Sequence, residues 1–293
     1  KGVLSVLPGK GSVIGDVLVR HPLVKKVSFT GGTEVGRGIA RIAAEKLMPV
    51  SLELGGKSPT IVCDDADLDH AVNGVLYGIF SSSGEACIAG SRLFVQRTVY
   101  DEFMKRLVAG ARKLRVGDPT RPDTQMGPLI TAKHRESVER YVALGLEEGG
   151  RLLCGGERPS GDGREHGFFY QPTILEGLPN SARICQEEIF GPVLVAMPFD
   201  DEASLIAQAN DSVFGLAAGI WTRDYKRAWR IARALETGTV WINTYKLFSI
   251  STPFSGWKES GMGREKGRLG IREYMQQKSL YWGLNDAPLP WAN

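Results

Sequence analysis

The chain has 293 residues, of which 42% are hydrophobic and 24% charged, and its 36 glycines indicate many tight turns. This composition supports a buried core and excludes intrinsic disorder. The formal net charge of +3 arises from mixed stretches of basic and acidic residues, so it does not indicate a nucleic-acid partner.

The sequence also gives no sign of a membrane or metal-binding protein. No apolar run approaches the roughly 20 residues that cross a bilayer, and the first residues lack the charged-then-apolar pattern of a signal peptide. The 4 cysteines lie far apart without a CxxC pair, which is typical of a reducing compartment and not of structural zinc. We therefore expect a cytoplasmic protein with no membrane partner and no metal.

Residues 1–55 have the pattern of half a dinucleotide-binding domain. Apolar runs at Val3–Leu7, Lys26–Phe29 and Val50–Leu54 predict three strands, with a glycine turn and a helix in each interval. This βαβαβ order is one half of a doubly wound fold, which contains two such halves. The sequence therefore predicts that the chain opens inside a domain, of which residues 1–55 are a part.

From residue 56 onward, predicted strands and helices alternate. The strands are 60–63, 93–96, 151–154, 169–175, 193–199, 217–222 and 239–243, and helices begin near residues 68, 99, 131, 201 and 225. Such alternation produces a mainly parallel α/β sheet, so we assign residues 56–259 to one α/β domain. In the remaining segment, 260–293, the apolar and aromatic run Lys278–Leu284 predicts an edge strand that needs covering.

Two polar features lie beside the first apolar strands. Gly31, Gly32, Thr33 and Gly36 follow a strand and open a helix, where backbone amides can hold a phosphate, although a purely structural turn fits equally well. Glu53 lies in an apolar strand that ends at paired glycines, so burial should raise its pKa towards the range of a general base. A buried glutamate paired with a cation from elsewhere in the chain is the alternative.

Cys87 is the best candidate nucleophile among the cysteines. It lies in the small-residue loop Ser81–Ser91, where a thiol can be exposed and have a low pKa, whereas the other cysteines have apolar or less distinctive settings. A second polar segment, Gln186–Val193, places Glu188 two residues before Phe190. Such a carboxylate suits the hydroxyls of a ribose, and a solvated turn anchored by the phenylalanine explains the segment equally well.

Taken in chain order, these motifs resemble those of the NAD(P)-dependent aldehyde dehydrogenase superfamily. The matching segments are Phe29–Gly36 (FTGGTEVG), Leu52–Pro59 (LELGGKSP), Gly84–Arg92 (GEACIAGSR), Glu187–Pro192 (EEIFGP) and Thr252–Glu265 (TPFSGWKESGMGRE). The resemblance runs from the first residue to about Trp282. It implies an α/β fold with an incomplete doubly wound nucleotide-binding domain at 1–55, a parallel α/β catalytic domain at 56–259 and a C-terminal return and oligomerisation segment at 260–293.

The resemblance implies that the protein oxidises an aldehyde to its carboxylic acid. Cys87 would attack the aldehyde carbon, with its own backbone amide as one oxyanion donor. Glu53 would activate the water that hydrolyses the resulting thioester. Phe248 and Phe254 match positions that line the aldehyde tunnel, and Glu265 matches a proton-relay position.

The implied cofactor is NAD or NADP, with NAD favoured. The residues that would hold it are Gly31, Gly32, Thr33, Glu34, Val35, Gly36, Leu54, Glu188 and Phe190. The glycine turn would bind the pyrophosphate, and the Leu54 backbone would meet the nicotinamide amide. Glu188 would take the nicotinamide-ribose hydroxyls, and Phe190 would pack near the nicotinamide ring.

The sequence also departs from the family pattern. Gly32 stands where the family often has Ser, and Glu85 where Gln is common before the nucleophile. The family's oxyanion-hole Asn and its adenosine-ribose residues belong to a segment upstream of this chain, so the chain resembles the C-terminal part of such an enzyme. Lys278–Leu284 would pair with a neighbouring subunit in a homodimer or homotetramer. The alternative to an enzyme is a non-catalytic or weakly active protein of the same fold with a binding or assembly role.

Overall fold

The computed structural model describes residues 2–284 and residue 291. The helices within that part are α1 Gly11–Arg20, α2 Thr33–Glu45, α3 Leu68–Phe80, α4 Tyr100–Arg112, α5 Ala132–Glu147, α6 Arg183–Gln186, α7 Glu202–Asn210, α8 Tyr225–Ala234 and α9 Gly267–Arg272. The strands are β1 Val27–Thr30, β2 Val50–Glu53, β3 Pro59–Val62, β4 Arg92–Gln96, β5 Arg151–Cys154, β6 Thr173–Glu176, β7 Val193–Phe199, β8 Phe214–Gly215, β9 Ala217–Trp221, β10 Thr239–Ile242, β11 Trp257–Lys258 and β12 Gly261–Met262.

A three-stranded sheet in the order β1-β2-β12 carries the first part of the chain. β1 and β2 run parallel, with Thr30 opposite Glu53 at their ends. β12 runs antiparallel to β2 and places Gly261 opposite Glu53. The closing segment of the chain therefore completes the sheet that carries Glu53, although more than 200 residues separate the two in sequence.

The prediction of a strand at Val3–Leu7 is wrong. Residues 3–7 form no strand, and their side chains lie exposed, Val3 to 98% and Leu4 to 85%. A strand needs a neighbouring edge to satisfy its backbone groups, and the described part of the chain pairs β1 only with β2. The first sheet thus begins at Val27, after α1.

The larger sheet has seven strands in the order β10-β9-β3-β4-β7-β6-β5. Every neighbouring pair is parallel except β5 with β6. Helices cover both faces, and two clusters of buried apolar side chains fill the layers around Phe94 and Leu93, which are fully buried. The predicted mainly parallel α/β architecture is therefore confirmed, and the carboxyl ends of parallel strands form the edge where sites of this architecture lie.

The predicted helices follow their sequence signals closely. Asp67, Thr131 and Asp201 cap the N-termini of α3, α5 and α7, each accepting a hydrogen bond from a backbone N–H of the first turn. No helix within residues 2–284 is long and apolar enough to cross a bilayer.

The segment Lys278–Leu284 forms no strand within this single chain, and Tyr281 is 96% exposed. Its pairing with another subunit stays a prediction, as do the domain limits at residues 55 and 259. The end of the last predicted segment, residues 285–290 and 292–293, lies outside the described residues.

Candidate active site

The loop that carries Cys87 begins with a tight turn after α3. Three consecutive residues, Ser82, Ser83 and Gly84, have φ angles of 55°, 57° and 72°. A Cβ atom at Gly84 would lie 2.2 Å from the carbonyl oxygen of Gly191. Only glycine therefore allows the turn to pack against the backbone of Gly191. Left-handed backbone at two serines is costly, and such strain is typical of functional turns.

Hydrogen bonds from distant segments hold this loop in place. The Ser83 hydroxyl donates to the Gly127 carbonyl at 3.0 Å, and the Tyr245 hydroxyl donates to the Ile88 carbonyl at 2.9 Å. The Glu85 carboxylate, which departs from the family's usual Gln, accepts the Ile130 N–H at 3.0 Å. Glu85 therefore connects the Cys87 loop to the backbone of Ile130.

Cys87 is half-buried, and all three other cysteines are buried. Burial raises the pKa of Cys63 to about 12 and that of Cys185 to about 11, so neither ionises readily at neutral pH. The pKa of Cys154 is raised by burial as well. Cys87 is thus the accessible thiol, as the sequence predicts.

The expected low pKa of Cys87 is wrong in this structure. Burial raises the pKa of the thiol, and the nearby carboxylates of Glu188 and Glu53 raise it further. The nearby backbone N–H groups of Ile88 and Cys87 oppose this shift. Neither N–H has another partner within the described residues, which leaves both available to a developing negative charge.

Glu53 lies at the end of β2 with only 4% of its surface exposed. Within the described residues, neither carboxylate oxygen has a hydrogen-bond partner. Burial raises the pKa of Glu53 to about 7, and the nearby Glu265 carboxylate raises it further. The Ser255 hydroxyl lowers this pKa, although it is not placed to donate a well-formed hydrogen bond. The alternative of a buried ion pair is not observed, because no cation lies within salt-bridge distance of Glu53 in the described chain.

The paired glycines after Glu53 connect it to the other two motifs. The Gly56 N–H donates to Glu188 Oε1 at 3.0 Å, and a Cβ at Gly55 would lie 2.3 Å from Glu188 Oε2. A Cβ at Gly56 would lie 2.4 Å from the Cys87 carbonyl oxygen. Glycine at both positions therefore allows Glu53, Cys87 and Glu188 to converge.

Lys57, which the sequence analysis did not single out, is a second buried charge at this site. Its side chain is fully enclosed, and Nζ has no hydrogen-bond partner within the described residues. Burial lowers its pKa to about 8, while Cys185, Glu188 and Glu187 favour the charged form. The available signal was a lysine between two apolar strands, directly after paired glycines.

The glycine turn at the start of α2 leaves backbone N–H groups without partners at the helix N-terminus. A Cβ at Gly31 would lie 2.5 Å from the Phe29 ring, so the tight approach needs glycine, whereas Gly32 faces open space. The first intrahelical hydrogen bond runs from Gly36 N–H to the Gly32 carbonyl at 3.0 Å. The N–H groups of residues 33–35 therefore point out of the helix without intrahelical partners, as an anion site requires.

In the remaining cofactor candidates, some of the groups that could contact a ligand already have partners within the protein. Leu54 donates its N–H to the Ser260 carbonyl at 2.9 Å, so only its carbonyl can meet a ligand amide. Phe190 has a φ of 55°, and its ring is 39% exposed with one edge against His134. Glu34 is exposed and forms an ion pair with Arg37, so its side chain does not face the other motifs.

Aromatic side chains form one wall near the nucleophile loop. Phe248 packs edge-on against both Trp241 and Phe254, with ring centroids 5.5 Å apart in each pair. Phe254 and Trp241 belong to the apolar cluster that also contains Cys87. Glu265 is fixed by the Ser28 hydroxyl, which donates to its Oε1 at 3.0 Å.

The fold defines an α/β protein with a mainly parallel sheet, in which a half-buried thiol, a buried carboxylate and a glycine-opened helix are brought together. Residues 1–280 match the model described as "Aldehyde dehydrogenase family". The chain belongs to this family.

Curated relatives carry a more specific name. The chain is 45% identical over 290 residues to a betaine aldehyde dehydrogenase of Mesorhizobium japonicum, covering 99% of this chain and 59% of that protein. It is 43% identical over 293 residues to a betaine aldehyde dehydrogenase of Bacillus subtilis, covering 100% of this chain and 60% of that protein. The chain thus spans about 59% of the length of these relatives.

Solved structures agree with the fold. An NAD⁺ complex of an aldehyde dehydrogenase from Bacillus cereus has a TM-score of 0.91 at 42% identity, covering 95% of this chain and 56% of that one. A point mutant of a betaine aldehyde dehydrogenase from Staphylococcus aureus, also in complex with NAD⁺, has a TM-score of 0.94 at 41% identity, covering 97% of this chain and 58% of that one.

Proposed function

We propose that this protein contributes the nucleophile and general base of an NAD-dependent aldehyde dehydrogenase. The observation that carries the proposal is the pairing of an accessible thiol, Cys87, with a buried carboxylate, Glu53, whose pKa is raised to about 7. A carboxylate with a pKa near the working pH is the form that accepts a proton efficiently from water. The family membership and the NAD⁺ complexes of similar structures support the same reaction.

The first step is addition of the Cys87 thiolate to the carbonyl carbon of the aldehyde. A carbon–sulfur bond forms, and the carbonyl oxygen becomes negatively charged. The N–H groups of Cys87 and Ile88, which have no backbone partner within the described residues, would stabilise that charge. Because both donors are backbone groups of one fixed loop, they need little rearrangement in the transition state.

NAD, when bound, supplies the acceptor for the hydride that leaves the substrate carbon. The N–H groups at the start of α2 would hold its pyrophosphate, and the Glu188 oxygens would hold ribose hydroxyls. Glu188 Oε1 is already bonded to Gly56, so the carboxylate is oriented in advance. The preference for NAD over NADP is part of this proposal.

The final step is hydrolysis of the thioester on Cys87. Glu53 takes a proton from water, the oxygen of the water bonds to the acyl carbon, and the carbon–sulfur bond breaks. The products are the carboxylic acid and the Cys87 thiolate, and return of the proton from Glu53 restores the thiol and the ionised base. In the part of the chain that the structure describes, neither Glu53 oxygen has a partner that would compete for the water.

An esterase assay tests the two residues without NAD. With p-nitrophenyl acetate, Cys87→Ser should abolish turnover, because no acyl-enzyme forms. Glu53→Gln should keep the initial burst of p-nitrophenolate and lower the steady-state rate by roughly 10²-fold or more, since the amide cannot accept the proton of water. An undiminished steady state in Glu53→Gln would assign the base to another residue.

A non-catalytic role of the same fold is the competing candidate. It predicts no esterase turnover, whereas preferential alkylation of Cys87 follows from its exposure under either candidate. Assembly as a homodimer or homotetramer is compatible with both candidates, and the exposed aromatic run Tyr281–Trp282 is the surface that favours it.

A further inference from the structure

Lys246 is a half-buried cation beside the nucleophile loop. Its ammonium group donates to the Ser81 hydroxyl at 2.6 Å, at the beginning of the turn that leads to Cys87. It also lies over the ring of Tyr77, on the last turn of α3, 5.6 Å from the ring centroid. Both partners are neutral.

No carboxylate of the described residues lies within salt-bridge distance of Lys246. Burial lowers its pKa to about 8, and the Cys87 sulfur is the group that raises it again. The ammonium group of Lys246 is therefore held next to the loop that carries Cys87. A buried ammonium without an anion is costly, so its charge is available to an anionic ligand.

The backbone fixes Lys246 in this place. Tyr245, the preceding residue, is fully enclosed and bonded to the Ile88 carbonyl, and a Cβ at Gly219 would lie 2.6 Å from its ring. Lys246 itself has a φ of 57°, a conformation that a lysine adopts only when its surroundings impose it. The backbone that carries Lys246 is thus held by the same contact that anchors the Cys87 loop.

Charges of opposite sign near the Cys87 loop are held by different segments of the chain. The carboxylates of Glu53 and Glu188 belong to the segment around the paired glycines, whereas Lys246 belongs to the α3 side, with Ser81 and Tyr77. A reactant bound near the Lys246 ammonium therefore meets a positive charge, which the segment of Glu53 and Glu188 does not supply. An anionic group directed towards α3 would be attracted, and a cationic group there would be repelled.

We propose that Lys246 is a specificity-determining residue and that the preferred aldehydes carry a carboxylate at the end remote from the carbonyl. This inference rests on the proposed function, because it concerns the substrate of the same thiol. It differs from what the names of the relatives suggest, since betaine aldehyde carries a quaternary ammonium.

Alkylation of Cys87 tests the charge effect without any aldehyde. Iodoacetate and iodoacetamide displace iodide by the same thiolate attack and differ in charge, so the ratio of their rate constants at Cys87 cancels changes in thiol pKa. Lys246→Met should lower the iodoacetate-to-iodoacetamide ratio by roughly tenfold, the effect of one nearby unit charge at partial burial. Lys246→Gln, which can still bond to Ser81, should lower it equally.

The matched control is Lys226→Met, which removes an exposed lysine over another tyrosine ring, at the start of α8. Its ratio should equal that of the unmodified protein. Mass spectrometry assigns each label to Cys87. An unchanged ratio in both Lys246 variants would overturn the inference, because a purely structural lysine would change the two rates together.

The protection of Cys87 by different aldehydes tests which class of substrate is preferred. Reversible addition of an aldehyde to Cys87 should protect the thiol from iodoacetamide, and ω-oxo carboxylates should protect at about tenfold lower concentration than n-alkanals of equal length. Betaine aldehyde should protect least, and Lys246→Glu should reverse the order. Equal protection by all three classes would refute the inference alone. If no aldehyde protects, the proposed function fails, and the alkylation ratio still decides the role of Lys246.

Discussion

Replacing Glu53 by Gln should stabilise the protein in a pH-dependent manner. The pKa of Glu53 is raised from 4.5 to about 7, chiefly by burial. Between these two values the unfolded chain has lost the Glu53 proton and the folded protein keeps it, so the free energy of unfolding falls as the pH rises. The loss of stability caused by burying the ionised Glu53 carboxylate is therefore absent below pH 4.5 and complete above pH 7.

The size of the effect follows from the same two values. A difference of about 2.5 pH units between the unfolded and folded protein corresponds to about 3 kcal/mol, taken as an upper bound because water can approach a partly open site. Glutamine has nearly the same shape and no charge to bury. The advantage of Glu53→Gln over the unmodified protein should therefore grow by up to about 3 kcal/mol between pH 5 and pH 8.

Urea denaturation followed by tryptophan fluorescence measures this difference at each pH. Glu147→Gln is the control, since it removes an exposed glutamate at the end of α5 that makes no hydrogen bond in the described chain. Its effect should be nearly constant over the range. A constant difference for Glu53→Gln as well would refute the claim that burial of this carboxyl sets its pKa.

Two further predictions concern the loop and the tail. Gly56→Ala should lower esterase activity at least tenfold, because its Cβ would lie 2.4 Å from the Cys87 carbonyl oxygen, whereas Gly38→Ala, with open space around it, should leave activity intact. Deleting residues 279–293 should lower the mass found by light scattering, because the exposed Tyr281 and Trp282 would no longer cover a neighbouring subunit. Unchanged activity or unchanged mass would contradict the respective prediction.

The sequence predicts most of the fold because its periodicity is strong. Alternating apolar strands and amphipathic helices identify the seven-stranded sheet, and side chains such as Asp67 and Thr131 mark helix starts through local hydrogen bonds. Val3–Leu7 has the same apolar character and forms no strand. Whether this segment forms a strand depends on the edge of a neighbouring strand with which it can pair, and a local sequence pattern does not encode that edge.

The candidate site is predicted less completely, because its properties depend on segments far apart in sequence. The burial of Glu53 follows from its apolar neighbours and is observed. The direction of the Cys87 pKa shift does not follow from the loop, since Glu188 lies about 100 residues further along the chain and raises it. Lys246 was overlooked for the same reason: its partners, Ser81 and Tyr77, lie more than 160 residues earlier.

The direction of each pKa shift separates charges that hold the fold from charges that are available for chemistry. At the surface, Arg97 pairs with Asp200 and lowers the pKa of that carboxyl, which stays charged and inert. At the candidate site the shifts are reversed: burial raises the pKa of Glu53 to about 7 and lowers that of Lys57 to about 8. Neither group has a hydrogen-bond partner in the described chain, so each can change protonation near neutral pH at little cost. A fold selected for stability alone would pair or replace such groups, and the raised pKa of Glu53, whose charge also acts on Cys87, supports the proposed proton transfer.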